Sequence, residues 1–130
     1  MTLPAHPLLY WTDALARGVT SSRELAEQAL EAANTSSQAS ATFSRLHVER
    51  ARASADAADR LRGAGLQMAP LAGLLISIKD LFDEAGEVTC AGSRVLNGTS
   101  PALSDGAVVQ RLRAAGAVIV GRTNMTEFAY

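Results

Sequence analysis

The sequence has 130 residues, is 48% hydrophobic and 19% charged, and carries a formal net charge of -1, which fits one folded domain with a single hydrophobic core. A charge balance this close to neutral, without a cluster of lysines or arginines, argues against a nucleic-acid-binding surface. The single cysteine, Cys90, excludes an internal disulfide framework and a zinc site built on several cysteines. A reducing compartment is therefore expected.

The apolar segments predict neither a secretory signal nor a membrane span. Residues 1–7 lack a basic region followed by a sustained apolar stretch, as a signal peptide would require. The longest apolar run, residues 71–78, is much shorter than the roughly 20 residues that cross a bilayer. We therefore expect a cytoplasmic protein that does not bind a membrane.

The first half of the chain predicts two helices. One extends from Thr20 to about Ala33, because Ser21 and Glu24 have the spacing of a capping box and apolar residues follow with helical periodicity. A second helix is predicted from about Val48 to Arg62. Between them lies a polar loop, and residues 41–46 form a possible short strand.

The second half alternates strands and a helix, which is typical of an α/β protein. Residues 74–78 predict a buried strand, and Ser104 or Asp105 is expected to cap the helix that follows. Residues 117–120 are entirely apolar, as in a strand of a parallel sheet covered on both faces. Residues 127–130 resemble the first turn of another helix.

The small number of strands predicts that the chain is the front part of a larger protein. A strand such as 117–120 requires neighbours on both sides, but the sequence predicts only about three strands. The alternative is a small complete domain with a helical tail.

Lys79 is the most informative candidate for chemistry. It follows the apolar strand 74–78 directly and precedes Asp80, so we expect it to be at least partly desolvated. Burial favours the neutral amine, which can act as a general base. The alternative is a solvated Lys79–Asp80 pair at a strand end. Ser77 shares a face with Lys79 on a strand, where its hydroxyl could relay a proton or simply pack.

Two further segments are candidates for a binding site. Residues 89–93, which include Ser93, are small enough to let the backbone approach a ligand, or they form an ordinary glycine turn. Residues 123–128 follow a predicted buried strand, and ligands bind at the carboxyl ends of strands in open α/β sheets. Asn124 could line that crevice or cap the next helix.

No metal or cofactor is predicted. His6 and His47 are isolated and have no metal-ligand spacing, and Cys90 has no activating neighbour in the sequence. Residues 63–68 imitate the start of a dinucleotide-binding fingerprint, but the third glycine is missing and the segment follows a helix. A small nucleotide-binding module nevertheless stays open as an alternative from the residues alone.

Four blocks together resemble the amidase signature family in order and spacing. They are Pro70 to Asp80 (PLAGLLISIKD), Ala91 to Ser93 (AGS), Asp105 to Ala117, and Val120 to Ala129 (VGRTNMTEFA). The similarity is dense from Ala69 to Tyr130 and weaker in the helix that begins near Ser21. The family includes the A subunit of glutamyl-tRNA amidotransferase, fatty-acid amide hydrolase and many bacterial amidases.

The resemblance implies a Ser–cis-Ser–Lys triad on a large mixed β-sheet flanked by helices, with Lys79 as the lysine. In the family this lysine draws a proton through a bridging serine from the nucleophilic serine, which attacks an amide carbonyl. The segment with both serines would lie beyond Tyr130, so residues 1–130 alone are expected to be inactive. Ser93, Asn124 and Met125 are weak candidates for contact with the substrate.

The resemblance also implies an organisation and a set of partners. Residues 1–130 would form the N-terminal portion of one amidase domain, with an arm (1–19), a helical region (20–68) and a core with the catalytic lysine (69–130). The substrate would be a small-molecule amide, and the full-length protein could be a homodimer or part of an amidotransferase-type complex. The alternative is a catalytically dead remnant that acts as a binding or scaffolding module.

Overall fold

A computed structural model describes residues 6–130, and its helices and strands alternate as expected for an α/β chain. The elements are α1 (Leu8–Ala16), α2 (Ser22–Thr35), α3 (Ala39–Thr42), β1 (Phe43–Leu46), α4 (Val48–Gly63), β2 (Leu75–Lys79), α5 (Ala107–Ala114) and β3 (Val118–Thr123). Short 3-10 turns lie at Arg94–Leu96 and Glu127–Ala129, so the helix start predicted at 127–130 is a single turn.

The α2 helix begins where the sequence predicts. The Ser21 hydroxyl accepts a hydrogen bond from the backbone N–H of Glu24 at 3.0 Å, and the Glu24 carboxylate accepts one from the N–H of Ser21 at 3.0 Å. This reciprocal capping box satisfies two N–H groups that the first helical turn leaves without partners. Local sequence chemistry therefore fixes the start of α2.

Two local expectations need correction. Gly106, rather than Ser104 or Asp105, is the N-cap of α5, because the Asp105 carboxylate instead accepts the N–H of Ala85 at 2.8 Å and pairs with Arg113 at 2.9 Å. In addition, α1 lies within segment 1–19, where the sequence predicts no helix. Its N-terminus has no side-chain cap, so the usual helix-start signal is missing.

Within residues 6–130 the sheet has three strands in the order β1-β3-β2. β1 pairs with β3 in antiparallel orientation, and β2 pairs with β3 in parallel. The apolar segment predicted at 117–120 is thus the first part of the central strand, which continues to Thr123. Burial of both of its faces explains the uniformly apolar sequence of this segment.

Helices cover both faces of this sheet. On one face, Val118, Val120 and Leu75 pack against α2 and α4. On the other, Ile78 and Ile119 pack with Val109 of α5. This two-sided core holds β2 in place, and the carboxyl end of β2 carries Lys79. Within residues 6–130, no helix combines the length and the apolar character needed to cross a membrane.

Candidate active site

Lys79 is the last residue of β2, and its side chain is exposed. Alternation along the strand places Leu75, Ser77 and Lys79 on the face that α2 and α4 cover. Leu75 packs into that core, whereas Ser77 and Lys79 lie beyond its edge and are both exposed. The expected desolvation of Lys79 is therefore wrong for this structure, although Ser77 shares its face as predicted.

The backbone on the C-terminal side of Lys79 is held firmly by its neighbours. The N–H of Asp80 donates to the carbonyl oxygen of Thr123 at 3.1 Å, and the carbonyl oxygen of Asp80 accepts the N–H of Ala91 at 2.7 Å. Ala91 lies in loop 89–93, and its carbonyl oxygen accepts the N–H of Phe128 at 2.8 Å. Three segments that are distant in sequence therefore meet beside Lys79.

Gly92 allows this meeting because a larger residue could not occupy its position. Its φ is +68°, and a Cβ at this position would lie 2.7 Å from the carbonyl oxygen of Met125. Glycine adopts such a conformation without the steric cost of a Cβ atom. The loop 89–93 is approached closely in this chain by the backbone of residues 125–126, and its contact with a ligand stays a prediction.

The polar side chains of two substrate-contact candidates are bonded within the chain. Ser93 is 2% exposed; its hydroxyl donates to the Glu127 carboxylate at 2.6 Å and accepts the N–H of Val95 at 3.2 Å. The Asn124 amide donates to the carbonyl oxygens of Ser40 and Ala41 at 3.1 and 2.9 Å.

These bonds give Ser93 and Asn124 structural roles, because Ser93 joins the loop to the C-terminal turn and Asn124 joins β3 to α3. The Met125 side chain is half-buried. Contact of these three residues with a substrate stays a prediction.

The sequence interpretation missed a cluster of buried charges behind β2. We call it the buried charge cluster; its buried members are His47, Asp80, Glu84, Glu87 and Arg122, which the exposed Arg50 and the half-buried Arg113 join from the outside. Arg122 of β3 is 1% exposed, and its Nε donates to Asp80 Oδ1 at 2.8 Å. Its Nη2 donates to the carbonyl oxygen of Phe82 at 3.0 Å. The Arg122 guanidinium therefore restrains the carboxyl end of β2 from the face of the sheet opposite Lys79.

Glu84 is the acidic centre of this cluster and is fully buried. It is bonded to His47 Nε2 at 2.8 Å, Arg50 at 2.8 Å and Arg113 at 2.6 Å. Burial by itself would raise the pKa of Glu84, but the hydrogen bond and charge of His47 and the charges of Arg50 and Arg113 outweigh it and lower the pKa to about 2. Glu84 is therefore a carboxylate throughout the physiological pH range.

One compositional signal could have strengthened the assignment of Lys79. It is the only lysine among the 12 lysine and arginine residues of the sequence. Arginine stays protonated in proteins, whereas a lysine amine can lose its proton and act as a base. The only side-chain amine of the sequence thus lies at the end of β2. Within residues 6–130, no group of three or more histidine, cysteine, aspartate or glutamate side chains is arranged to hold a metal ion.

The amidase family model matches residues 24–130. The chain is 46% identical over 118 residues to AtzE, the 1-carboxybiuret hydrolase subunit of Pseudomonas sp. (strain ADP), covering 91% of this chain and 26% of the relative. It is 42% identical over 119 residues to the A subunit of the glutamyl-tRNA(Gln) amidotransferase of Synechococcus sp. (strain CC9902), covering 92% of this chain and 24% of that protein.

Solved structures agree with these relatives. A structure described as a vestigial protein complex that reveals the evolutionary origins of an s-triazine catabolic enzyme matches with a TM-score of 0.91 and 43% identity, covering 96% of this chain and 27% of its own. Native peptide amidase from Stenotrophomonas maltophilia matches with a TM-score of 0.80 and 30% identity, covering 91% and 24%. The chain thus spans about a quarter of the length of its relatives.

Proposed function

Because this chain belongs to the amidase family, an amide-hydrolysing enzyme family, we propose that its full-length protein hydrolyses a small-molecule carboxylic amide with Lys79 as general base. Residues 1–130 then form the N-terminal portion of one amidase domain, and segment 69–130 supplies the lysine. The observation that carries the proposal is the position of Lys79. It projects from the carboxyl end of a parallel strand, the edge at which α/β proteins bind ligands, at a point of the sheet that α2 and α4 do not reach, so that its side chain is exposed.

The proposed reaction follows the Ser–cis-Ser–Lys triad that the sequence resemblance implies. The neutral Lys79 amine accepts a proton through a bridging serine while the nucleophilic serine attacks the amide carbonyl. The leaving amine takes a proton as the C–N bond breaks, and water then hydrolyses the acyl-serine to the carboxylic acid. Both serines belong to a part of the domain outside residues 1–130, and that part also covers the exposed face of Ser77 and Lys79.

The relatives support a further element of the proposal. Two of them are named as subunits, of a 1-carboxybiuret hydrolase and of a glutamyl-tRNA(Gln) amidotransferase. We therefore propose that the full-length protein works within a complex, either a homodimer or an amidotransferase-type assembly.

The test is to trap the acyl-enzyme in the full-length protein. The purified protein is mixed with a panel of aliphatic and aryl amides, quenched within milliseconds to seconds, and analysed by intact-protein mass spectrometry while amine release is measured in parallel. We expect a serine-linked acyl adduct and amine release with at least one amide, and neither with the Lys79→Ala variant.

The matched control is Arg111→Ala, which removes an exposed cation of α5 and should form the adduct at the wild-type rate. Amide turnover that persists in Lys79→Ala would refute the proposed role of Lys79.

A further inference from the structure

Asp80 stands next to Lys79 in the sequence, but the two side chains have opposite surroundings. Asp80 is 5% exposed and pairs with Arg122 at 2.8 Å, whereas Lys79 is exposed. Within residues 6–130 the Lys79 amine forms no ion pair, so the solvated Lys79–Asp80 pair that the sequence leaves open does not occur. A general base of the proposed kind must lose its proton, and an adjacent carboxylate would oppose that loss.

We propose that Arg122 is a positioning residue that holds the Asp80 carboxylate behind the sheet and neutralises it, so that Lys79 has no adjacent counter-ion and its amine can become neutral. This inference rests on the proposed function, because it explains how the same lysine is kept available as a base.

The register of the sheet supports this role. β2 and β3 are parallel, with Ile78 opposite Arg122 and Lys79 opposite Thr123. Arg122 therefore lies on the face of Ile78, which packs against α5, and Lys79 projects from the other face. The guanidinium also reaches the carbonyl oxygen of Phe82 at 3.0 Å, so it restrains both the side chain of Asp80 and the turn that follows. A lysine at position 122 could supply the positive charge, but it could not donate in fixed directions to both Asp80 and the Phe82 carbonyl oxygen.

The other charged groups at this end of β2 have further partners: Glu84 also lies 3.5 Å from Arg122 Nη1, and the Asp83 carboxylate accepts the Thr89 hydroxyl at 2.8 Å. The charged groups on the surrounding elements pair among themselves. Glu84 pairs with His47, Arg50 and Arg113, and Glu87 pairs with Arg45 and Arg50. On the segment that packs against loop 89–93, Glu127 accepts the hydroxyl of Ser93. Arg122 is the only cation of residues 6–130 that pairs with Asp80, so its loss leaves the Asp80 carboxylate without a counter-ion.

The experiment measures the pH dependence of kcat/KM for amide hydrolysis by the full-length protein and its Arg122→Gln variant. A unit negative charge one residue away, at an effective dielectric constant of about 20, favours the protonated amine by about one pH unit. We therefore expect the acid limb of the Arg122→Gln profile to move upward by about one pH unit. Arg122→Lys, which keeps the charge, should restore the limb to within a few tenths of a unit.

Two further variants separate this effect from a general loss of structure. The double variant Asp80→Asn with Arg122→Gln removes both charges, and its acid limb should return to the wild-type position even if the rate is low. Arg113→Gln removes a cation from the same cluster without touching Asp80, so it should lower the melting temperature and leave the acid limb in place.

A direct titration provides a readout besides activity. Reductive methylation with 13C-formaldehyde labels lysine amines, and the Lys79 resonance is identified by its absence in Lys79→Arg. Its titration midpoint should rise in Arg122→Gln and return in the double variant. If Arg122→Gln hydrolyses amides too slowly to assay, the direct titration alone decides whether Arg122 has the proposed role.

The outcomes for the two proposals are distinguishable. If Arg122→Gln leaves both the acid limb and the Lys79 titration at their wild-type positions, the role of Arg122 is overturned while Lys79 can still be the base. If Lys79→Arg hydrolyses amides at the wild-type rate with an unchanged profile, the proposed function itself fails.

Discussion

Replacing Glu84 with glutamine should destabilise the protein in a strongly pH-dependent manner. Glu84 is fully buried and accepts hydrogen bonds from His47, Arg50 and Arg113. Glu84→Gln keeps the shape of the side chain but leaves these groups facing a neutral amide. Breaking a buried ion pair by removing one partner typically costs about 3–5 kcal/mol.

The magnitude can also be worked from the lowered pKa of Glu84. In the folded state it is about 2 against an ordinary value of 4.5, and each pKa unit corresponds to about 1.4 kcal/mol. The shift therefore contributes on the order of 3 kcal/mol to the free energy of unfolding. Because the folded-state pKa is the lower one, this contribution is complete above about pH 5 and is lost as the pH falls through about 2.

The assay is urea-induced unfolding of the full-length wild-type protein and Glu84→Gln at a series of pH values from 7 to 2. The difference in unfolding free energy should shrink as the pH falls from about 5 towards 2. A difference that does not change with pH would refute the reasoning, because the stabilisation would then not come from the ionised carboxylate. Glu49→Gln, at an exposed position of α4, is the matched control and should show almost no difference.

Three further outcomes test the fold around the site. Ser21→Ala, which removes the hydroxyl of the capping box, should lower the free energy of unfolding by about 1 kcal/mol in chemical denaturation, and a neutral result would contradict the cap. Gly116→Ala should lower the free energy of unfolding by at least about 2 kcal/mol, because the φ of Gly116 is +86° and a Cβ there would lie 2.7 Å from the Ala72 Cα atom. Gly63→Ala is the control, because a Cβ at Gly63 would have no atom within 4 Å. Residues 1–130 expressed alone should associate in light scattering, because the edges of β1 and β2 are free to pair. They should release no amine from amides, because both proposed serines lie outside this segment. A compact, active monomer would contradict the proposed division of the domain.

The local part of the fold could be predicted from the sequence because its causes are local. The capping box at Ser21 and Glu24 locates the start of α2. The apolar run at 117–120 predicts a central strand. The sequence interpretation missed α1, because Leu8–Ala16 begins without a side-chain cap.

The environment of Lys79 could not be predicted in the same way. Its exposure depends on how far α2 and α4 extend over β2, which is a property of packing. The pairs Asp80–Arg122 and His47–Glu84 join residues 42 and 37 positions apart, and no periodicity connects residues so distant. The sequence therefore predicts His47 as an isolated histidine, whereas the structure places it in the buried charge cluster.

Resemblance and residue patterns contributed differently to the candidate site. The spacing of the blocks from residue 69 onward predicts the family, which the match over residues 24–130 confirms. The residue pattern alone places Lys79 at a strand end but leaves open whether it pairs with Asp80. That alternative is excluded by the geometry, since the Asp80 carboxylate is bonded to Arg122 on the other side of the sheet.

The most direct test of the account is the rate of amide hydrolysis by Lys79→Arg in the full-length protein. This substitution keeps the positive charge and most of the side-chain length, but a guanidinium cannot accept a proton at any working pH. With a melting temperature near that of the wild type, we predict that kcat falls by at least about 100-fold, as for loss of a general base. A Lys79→Arg enzyme that turns over amides at the wild-type rate would contradict the central claim.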